Sequence, residues 1–311
     1  MAIDDIFENN ERKRASREEI QSSILCRGSR SVSFPRNRRY HRMFEMNLLA
    51  SCFFILIASC CSAQISTVKG GILEEANIPL STLYILGTGN DVFDEALYKA
   101  VHENWTLSPI GDIEELSELD LTTPRRMYIG YLDWGLRRSV AIIRGGTDNP
   151  HYDLKDDDIL AYAPMGTQRN ENTIEECAYR IPLVVASLQQ VLSLRIKEGR
   201  GRVDAGDLTV PKTKATEFLV DKTLLREREI EELMHVFDHD IRILDRSEIV
   251  DAIEEKRTGS LLFIPVYGRF LNILVYDLAT RECIYFEAKT LPYEKREFAR
   301  AHLTPLKRFL K

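Results

Sequence analysis

The chain has 311 residues, of which 44% are hydrophobic, with 16 Gly and 11 Pro. This composition excludes collagen-like, low-complexity and globally disordered chains, and the length suffices for one large or two modest domains. The 42 basic and 48 acidic residues give a net charge of −6, which is distributed unevenly along the chain.

Residues 1–45 form a basic arm that is rich in Arg, Ser and Asn and has no apolar period. Ten Lys and Arg against seven Asp and Glu give the arm a charge of +3, and the residues after 63 carry 32 basic and 41 acidic groups, a charge of −9. We expect the arm to be disordered or to precede the true start of translation, and we exclude it from the fold. A body of charge −9 repels phosphate backbones, so nucleic-acid binding is not expected.

Residues 46–63 are predicted to be a signal peptide. Six arginines and no acidic residue in residues 27–42 precede the apolar stretch of residues 48–61, and Cys61-Ser62-Ala63 supplies small residues for cleavage before Gln64. The stretch is shorter than the roughly 20 residues that a membrane-spanning helix needs. The pattern therefore predicts an exported protein of the periplasm or outer envelope.

Two alternatives to simple cleavage stay open. Ile57-Ala58-Ser59-Cys60 is similar to a bacterial lipobox, in which Cys60 would be lipidated and would become the mature N-terminus. The apolar segment could also remain uncleaved as an anchor. Contact with a membrane is expected only through such a lipid anchor or an uncleaved signal.

A first α/β unit is predicted over residues 80–165. The run of residues 82–86 has strand composition, and Phe93, Leu97 and Val101 recur at helical spacing behind it. A strand candidate at 107–110, a short helix suggested by the capping-box spacing of Asp112 and Glu115, and three further strand candidates follow. The predicted order of elements is βαβαβββ.

The loop from Gly87 to Asn90, between the first strand and helix, has the sequence Gly-Thr-Gly-Asn. Glycine-rich loops that precede a helix can hold phosphate groups, because backbone amides and the helix N-terminus attract anions. The loop lacks a third spaced Gly and a Lys-Ser/Thr pair. We interpret it as an ordinary strand-to-helix turn and keep phosphate binding as the alternative.

Residues 172–198 are predicted to be a long apolar helix that joins two units, kinked or restarted at Pro182 and ended by Gly199. Its apolar stripe requires burial, most simply across two sheets. This helix contains Cys177, one of the two cysteines of the body, and no base or orienting partner for a nucleophile can be identified. Whether Cys177 and Cys283 form a disulfide stays open.

The second unit, residues 215–290, repeats the order of the first at a fixed offset of 133 residues. The offset takes Leu97 to Ile230 and Val101 to Met234, and it carries the capping pair to Asp245 and Glu248. The sequence thus predicts an α/β protein with mixed α+β sheets, in which two duplicated βαβαβββ units are joined by the apolar helix. Residues 294–310 are predicted to be a C-terminal helix that is interrupted near Pro305.

Four possible metal ligands lie together in the second unit: His235, Asp238, His239 and Asp240. Zinc needs three or four converging ligands. This segment instead spans a helix-to-strand corner, where His235 can cap the helix and the others can form a polar turn. We therefore predict no metal and no cofactor, and keep these residues as weak metal candidates.

The signal segment and the paired halves TLYILGTGNDVFDEALYKAVHENW and TEFLVDKTLLREREIEELMHVF carry a resemblance to known proteins. The chain resembles exported, functionally uncharacterised α/β proteins of Gram-negative bacterial envelopes. Its element order is also similar to that of the amino-terminal domain of TolB-type periplasmic proteins, which serve in envelope protein assemblies. This second likeness rests on element order alone and implies no functional residue.

These observations predict an exported binding or scaffolding protein with a protein partner in the cell envelope. A non-enzymatic role is favoured, because no convergent catalytic set is found in the sequence. The alternative is an exported hydrolase or nucleotide-binding enzyme that uses the Gly87 loop or the cluster from His235 to Asp240. The oligomeric state is not specified by the sequence.

Overall fold

The computed structural model describes residues 66–67, 75–115, 121–133, 138–146, 158–165, 173–199, 203, 217–237, 241–267, 270–290 and 298–309. The predicted arm and signal peptide, including Cys60, lie outside these ranges. The described residues all belong to one compact unit of the chain.

The first half is built on a six-stranded mixed sheet. Its strands are β1 (Ser66–Thr67), β2 (Thr82–Gly87), β3 (Ile110–Glu115), β4 (Arg126–Asp133), β5 (Arg138–Arg144) and β6 (Ile159–Pro164). They lie in the order β1-β6-β5-β4-β2-β3. β2 runs parallel to both of its neighbours, and the β4-β5-β6 meander and β1 pair antiparallel.

The second half is built on a five-stranded sheet. Its strands are β7 (Glu217–Asp221), β8 (Ile241–Leu244), β9 (Ser260–Tyr267), β10 (Phe270–Asp277) and β11 (Glu282–Thr290). Their order, β11-β10-β9-β7-β8, and the direction of every pairing are those of β6-β5-β4-β2-β3. The predicted pair of units with one architecture is therefore confirmed.

Five α-helices accompany the sheets in the described ranges: α1 (Asp91–Asn104), α2 (Ile181–Glu198), α3 (Glu227–Val236), α4 (Arg246–Glu254) and α5 (Arg300–Phe309). The side chain of Asn90 caps α1 by accepting a hydrogen bond of 3.0 Å from the amide of Phe93. The predicted capping box of α4 is present, since the carboxylate of Glu248 accepts from the amide of Asp245 at 3.2 Å.

The helix predicted from Asp112 and Glu115 is wrong, because both residues lie in the edge strand β3, and the strand predicted at 107–110 begins only at Ile110. Backbone pairing with β2 outweighs the local capping signal here. Gly111 lets the ring of Tyr84 lie over β3, since a Cβ atom at Gly111 would come within 2.6 Å of that ring. Among the described residues, the second unit has a helix, α4, after its second strand, and the first unit has none at the equivalent position.

The fixed offset of 133 residues fails by one residue in the helices that follow β2 and β7. Trp105 and Phe237 end these helices in the same way, each donating its amide to the carbonyl four residues earlier. Because these two end residues are one residue closer together than the offset, Val101 is the equivalent of Leu233. The offset of 133 residues had paired Val101 with Met234, which is 59% exposed. His102 in α1 and His235 in α3 are consequently not at equivalent positions.

A single hydrophobic core lies between the two sheets. It joins the facing sides of both sheets to α1, α2 and α4, and α2 packs on α1, on β6 and on β11. The prediction that the apolar helix is buried across two sheets is confirmed. A second core covers the other side of the second sheet with α3 and α5.

The helix α2 begins where the sequence predicts a restart. A 3-10 turn, Glu175–Arg180, precedes it, Pro182 lies in its first turn, and Gly199 ends it in the left-handed conformation with φ of 61°. The segment Glu175–Glu198 is long and apolar enough to cross a membrane. Most of its apolar part is buried inside the protein, as expected of a core helix.

α5 is the structural counterpart of α2. Each follows the last strand of its unit and packs beside the first helix of that unit, α2 against α1 and α5 against α3. α2 is buried on most sides, whereas Leu303 and Leu306 are the buried side chains of α5. α5 continues through Pro305, where an interruption was predicted, because the buried leucines on both sides of the proline hold it to the sheet. The joining helix is thus the last element of the first unit.

Candidate functional site

The carboxyl ends of β2 and β7 are the places where this fold is expected to bind ligands. Each strand lies between two parallel neighbours, and open α/β sheets bind ligands outside the carboxyl ends of such central strands. The loops that leave these ends are Gly87–Asn90 and Asp221–Thr223. The 3-10 turn before α2 contacts both loops, so these three segments form the candidate site.

In the first loop, the carboxylate of Asp94 occupies the position that an anion would take. It accepts hydrogen bonds from the amides of Thr88 and Gly89, at 2.9 and 3.0 Å, and from the hydroxyl of Thr88 at 2.8 Å. Gly89 has φ of 77°, a conformation that suits glycine and turns both amides toward one point. The glycine-rich loop therefore binds a carboxylate of its own helix.

Asn90 connects this loop to the 3-10 turn. Its side-chain amide donates a hydrogen bond to the carboxylate of Glu175. The pKa of Glu175 is lowered by its own backbone amide, by the hydroxyl of Thr173 and by this bond from Asn90. The negative charge of Glu175 is thus favoured beside the first loop.

In the second loop, Asp221 is the centre of a polar cluster. The side chain of Asp221 is 1% exposed. Its carboxylate accepts hydrogen bonds from the amide of Thr223 at 2.8 Å, the hydroxyl of Thr223 at 2.6 Å and the hydroxyl of Tyr179 at 2.8 Å. Nε of Arg246 donates to the same carboxylate at 3.3 Å. We call Tyr179, Asp221, Thr223 and Arg246 the clasp.

Arg246 also bonds the backbone of the 3-10 turn Glu175–Arg180, which contains Tyr179. Its guanidinium donates to the carbonyl oxygen of Glu176 at 3.2 Å and to the hydroxyl of Thr223. It also lies 5.2 Å from the ring centre of Tyr179, and the guanidinium of Arg180 lies 5.5 Å from that centre. The clasp pairs its buried carboxylate with a cation and three further donors, an arrangement that stabilises the fold.

The sequence-predicted metal candidates are not brought together by any described contact. His235 is exposed at the end of α3, and Asp238, His239 and Asp240 lie outside the described residues. Among the residues that the structure describes, no group of three or more His, Cys, Asp and Glu side chains could hold a metal ion.

Both cysteines of the body are free and buried, so the disulfide that the sequence left open is absent. Burial raises the pKa of Cys283 to about 12, which keeps this thiol protonated at neutral pH. Cys177 lies in the 3-10 turn with its thiol 3.6 Å from the carbonyl oxygen of Thr173. Neither environment activates a nucleophile.

The clasp was not predicted from the sequence. The available indication was an acidic residue directly after the apolar run of β7, at the carboxyl end of a predicted strand. Tyr179 and Arg246 could not be assigned to it, because they lie 42 and 25 residues from Asp221 along the chain.

No family model, no curated protein and no solved structure matches the chain. The resemblance to envelope proteins that the sequence suggests stays a prediction.

Proposed function

We propose that this protein is an exported, non-enzymatic binding or scaffolding protein of the bacterial periplasm or outer envelope. The observation that carries the proposal is the state of the two carboxyl-end loops. Asp94 satisfies the amides of one loop, and Asp221 is held by Tyr179, Thr223 and Arg246 at the other. In both loops the carboxylate accepts its hydrogen bonds from groups of the protein itself.

Export is supported by the sequence before the body. A basic stretch, an apolar stretch and small residues before Gln64 follow one another in the order of a signal peptide. The charge of −9 after residue 63 repels phosphate backbones. We propose a protein partner in the envelope.

The alternative, a hydrolase or nucleotide-binding enzyme, requires that the Gly87 loop release Asp94. A phosphate would have to displace a carboxylate that is covalently part of the same helix and accepts several hydrogen bonds. Such an intramolecular anion is present at a high effective concentration. The occupied loop therefore favours the binding protein over the enzyme.

Titration of nucleotide and inorganic phosphate into the purified chain from Gln64 onward, followed by calorimetry, tests this choice. We expect no saturable binding by the wild type. The Asp94→Ala variant is the matched comparison, because it releases the amides of the first loop from their hydrogen bonds to the carboxylate of Asp94. Saturable binding by the wild type that Thr88→Ala weakens would contradict the proposal. A partner captured from an envelope extract must then bind the purified chain directly and saturably.

A further inference from the structure

We propose that α5 is a releasable cover over a helix-docking groove on the second sheet, and that an amphipathic helix of a protein partner takes its place there. The groove is the apolar outer face of the second sheet together with α3, and α5 covers it. This inference rests on the proposed function, a protein that binds a partner, and it names the surface at which the partner binds.

Few side chains hold α5 to the rest of the protein. Leu303 and Leu306 are its buried residues, and Phe298 is buried directly before it. Phe309 is 39% exposed, with its ring centre 5.1 Å from that of Tyr285. In α2, the counterpart of α5, ten of the 18 residues are buried. Release of α5 therefore exposes much less apolar surface than release of α2 would.

The helical state of α5 depends on its docking. The helix has ten residues, and isolated helices shorter than about 12 residues are marginal in water. Pro305 is its sixth residue, where a proline removes the hydrogen bond to the carbonyl oxygen of Ala301 and crowds that carbonyl group. Folding and docking of α5 are thus one step, so that α5 is released as a unit.

The second sheet does not need α5 to stay folded. Its other face belongs to the core between the two sheets, where Leu219, Leu262 and Leu274 pack with α2 and α4. α3 keeps its own contacts with the outer face, because the ring of Phe237 at its end stacks on Phe218 with the ring centres 5.2 Å apart. The groove therefore persists when α5 leaves it.

Glu229 makes the groove selective for the start of a helix. Its buried carboxylate accepts hydrogen bonds from the hydroxyl of Tyr267 at 2.5 Å and from the amide of Phe298, just before α5, at 3.1 Å. It also accepts from the amide of Arg226 at 3.0 Å. A carboxylate at this place favours the positive N-terminal end of a helix. The occupant is therefore a helix that begins beside Glu229 and has apolar side chains at the spacing of those in α5.

Hydrogen exchange of the purified full chain measures the release. We expect the backbone amides of α5 to exchange at least about tenfold faster than those of α3, because α5 opens without the rest of the outer core. Pro305→Ala restores the missing donor of α5, so it should slow exchange in α5 by about tenfold or more and leave α3 unchanged. Equal exchange in α5 and α3 of the wild type overturns the inference.

A labelled synthetic peptide with the sequence of residues 297–311 and Pro305→Ala is the probe for the groove. We expect it to bind the full chain saturably, and the same peptide with Leu303→Asp and Leu306→Asp not to bind. It should bind a chain that itself carries Pro305→Ala about tenfold more weakly or less, because the cover of that chain opens less often. No saturable binding of the probe, or equal binding to both chains, overturns the inference.

Failure of this inference can be distinguished from failure of the proposed function. If α5 opens only with the whole protein and the chain binds neither nucleotide nor phosphate, the groove is overturned and the binding function stands. Saturable nucleotide binding that Thr88→Ala weakens overturns the function, whatever the exchange rate of α5.

Discussion

Removing one hydroxyl from the clasp is expected to destabilise the protein measurably. Tyr179→Phe keeps the ring that lies near both guanidinium groups and removes the hydroxyl that donates the hydrogen bond of 2.8 Å to Asp221. A hydrogen bond to a charged group contributes about 1.5 to 3 kcal/mol. Asp221 keeps its bonds to Thr223 and Arg246, so we expect a loss of about 1 to 2 kcal/mol in the free energy of unfolding.

Urea denaturation of the purified chain from Gln64 onward measures this loss by linear extrapolation. Tyr98→Phe is the matched control, because it makes the same chemical change on a side chain of α1 whose residue is 43% exposed. The control should change the free energy of unfolding by less than about 0.5 kcal/mol. If the two variants have the same stability, the clasp does not stabilise the fold as argued.

Three further predictions concern separate features. Glu103 forms an ion pair of 2.8 Å with Arg281, and the hydrogen bond from Arg281 lowers the pKa of Glu103. The contribution of this pair to the free energy of unfolding is present above the unfolded pKa of about 4.3, and it is lost as the pH falls through the folded pKa. Acid titration of stability should therefore show a deficit of Glu103→Gln at pH 7 that shrinks below pH of about 4, and a constant deficit would contradict the assignment. Gly145→Ala should lower the free energy of unfolding by about 1 to 3 kcal/mol, because its Cβ would lie 2.5 Å from the carbonyl oxygen of Thr123. Gly87→Ala is the control, since its Cβ makes no contact closer than 3.5 Å, and it should unfold in urea like the wild type. Elemental analysis of the purified chain should find no stoichiometric zinc. Stoichiometric zinc in the wild type and none in a variant with His235→Ala and His239→Ala would support the alternative function, a hydrolase.

The features predicted correctly from the sequence depend on interactions between residues that are close along the chain. The helix behind β2, the restart of the apolar helix at Pro182 and the capping box of Asp245 and Glu248 are all of this kind. The mixed sheets and the repeated strand order followed from these local patterns, because each unit has few ways to bury its apolar faces.

The features that the sequence could not predict depend on contacts between distant residues. Asp112 and Glu115 satisfy the spacing of a helix cap, yet pairing with β2 draws them into a strand. The loop at Gly87 has the composition of an anion site, and only the position of Asp94 shows that the anion is internal. The clasp combines residues from the 3-10 turn, the end of β7 and the start of α4, which the tertiary fold alone brings together.

The N-terminal sequence of the natively expressed protein, determined together with its cell fraction, tests the central claim most directly. We expect a protein outside the cytoplasm that begins at Gln64 after cleavage or at a lipidated Cys60, or one that is retained at the membrane by its uncleaved apolar segment. A protein that begins at Met1 and is recovered free in the cytoplasm would contradict export and the envelope function proposed from it.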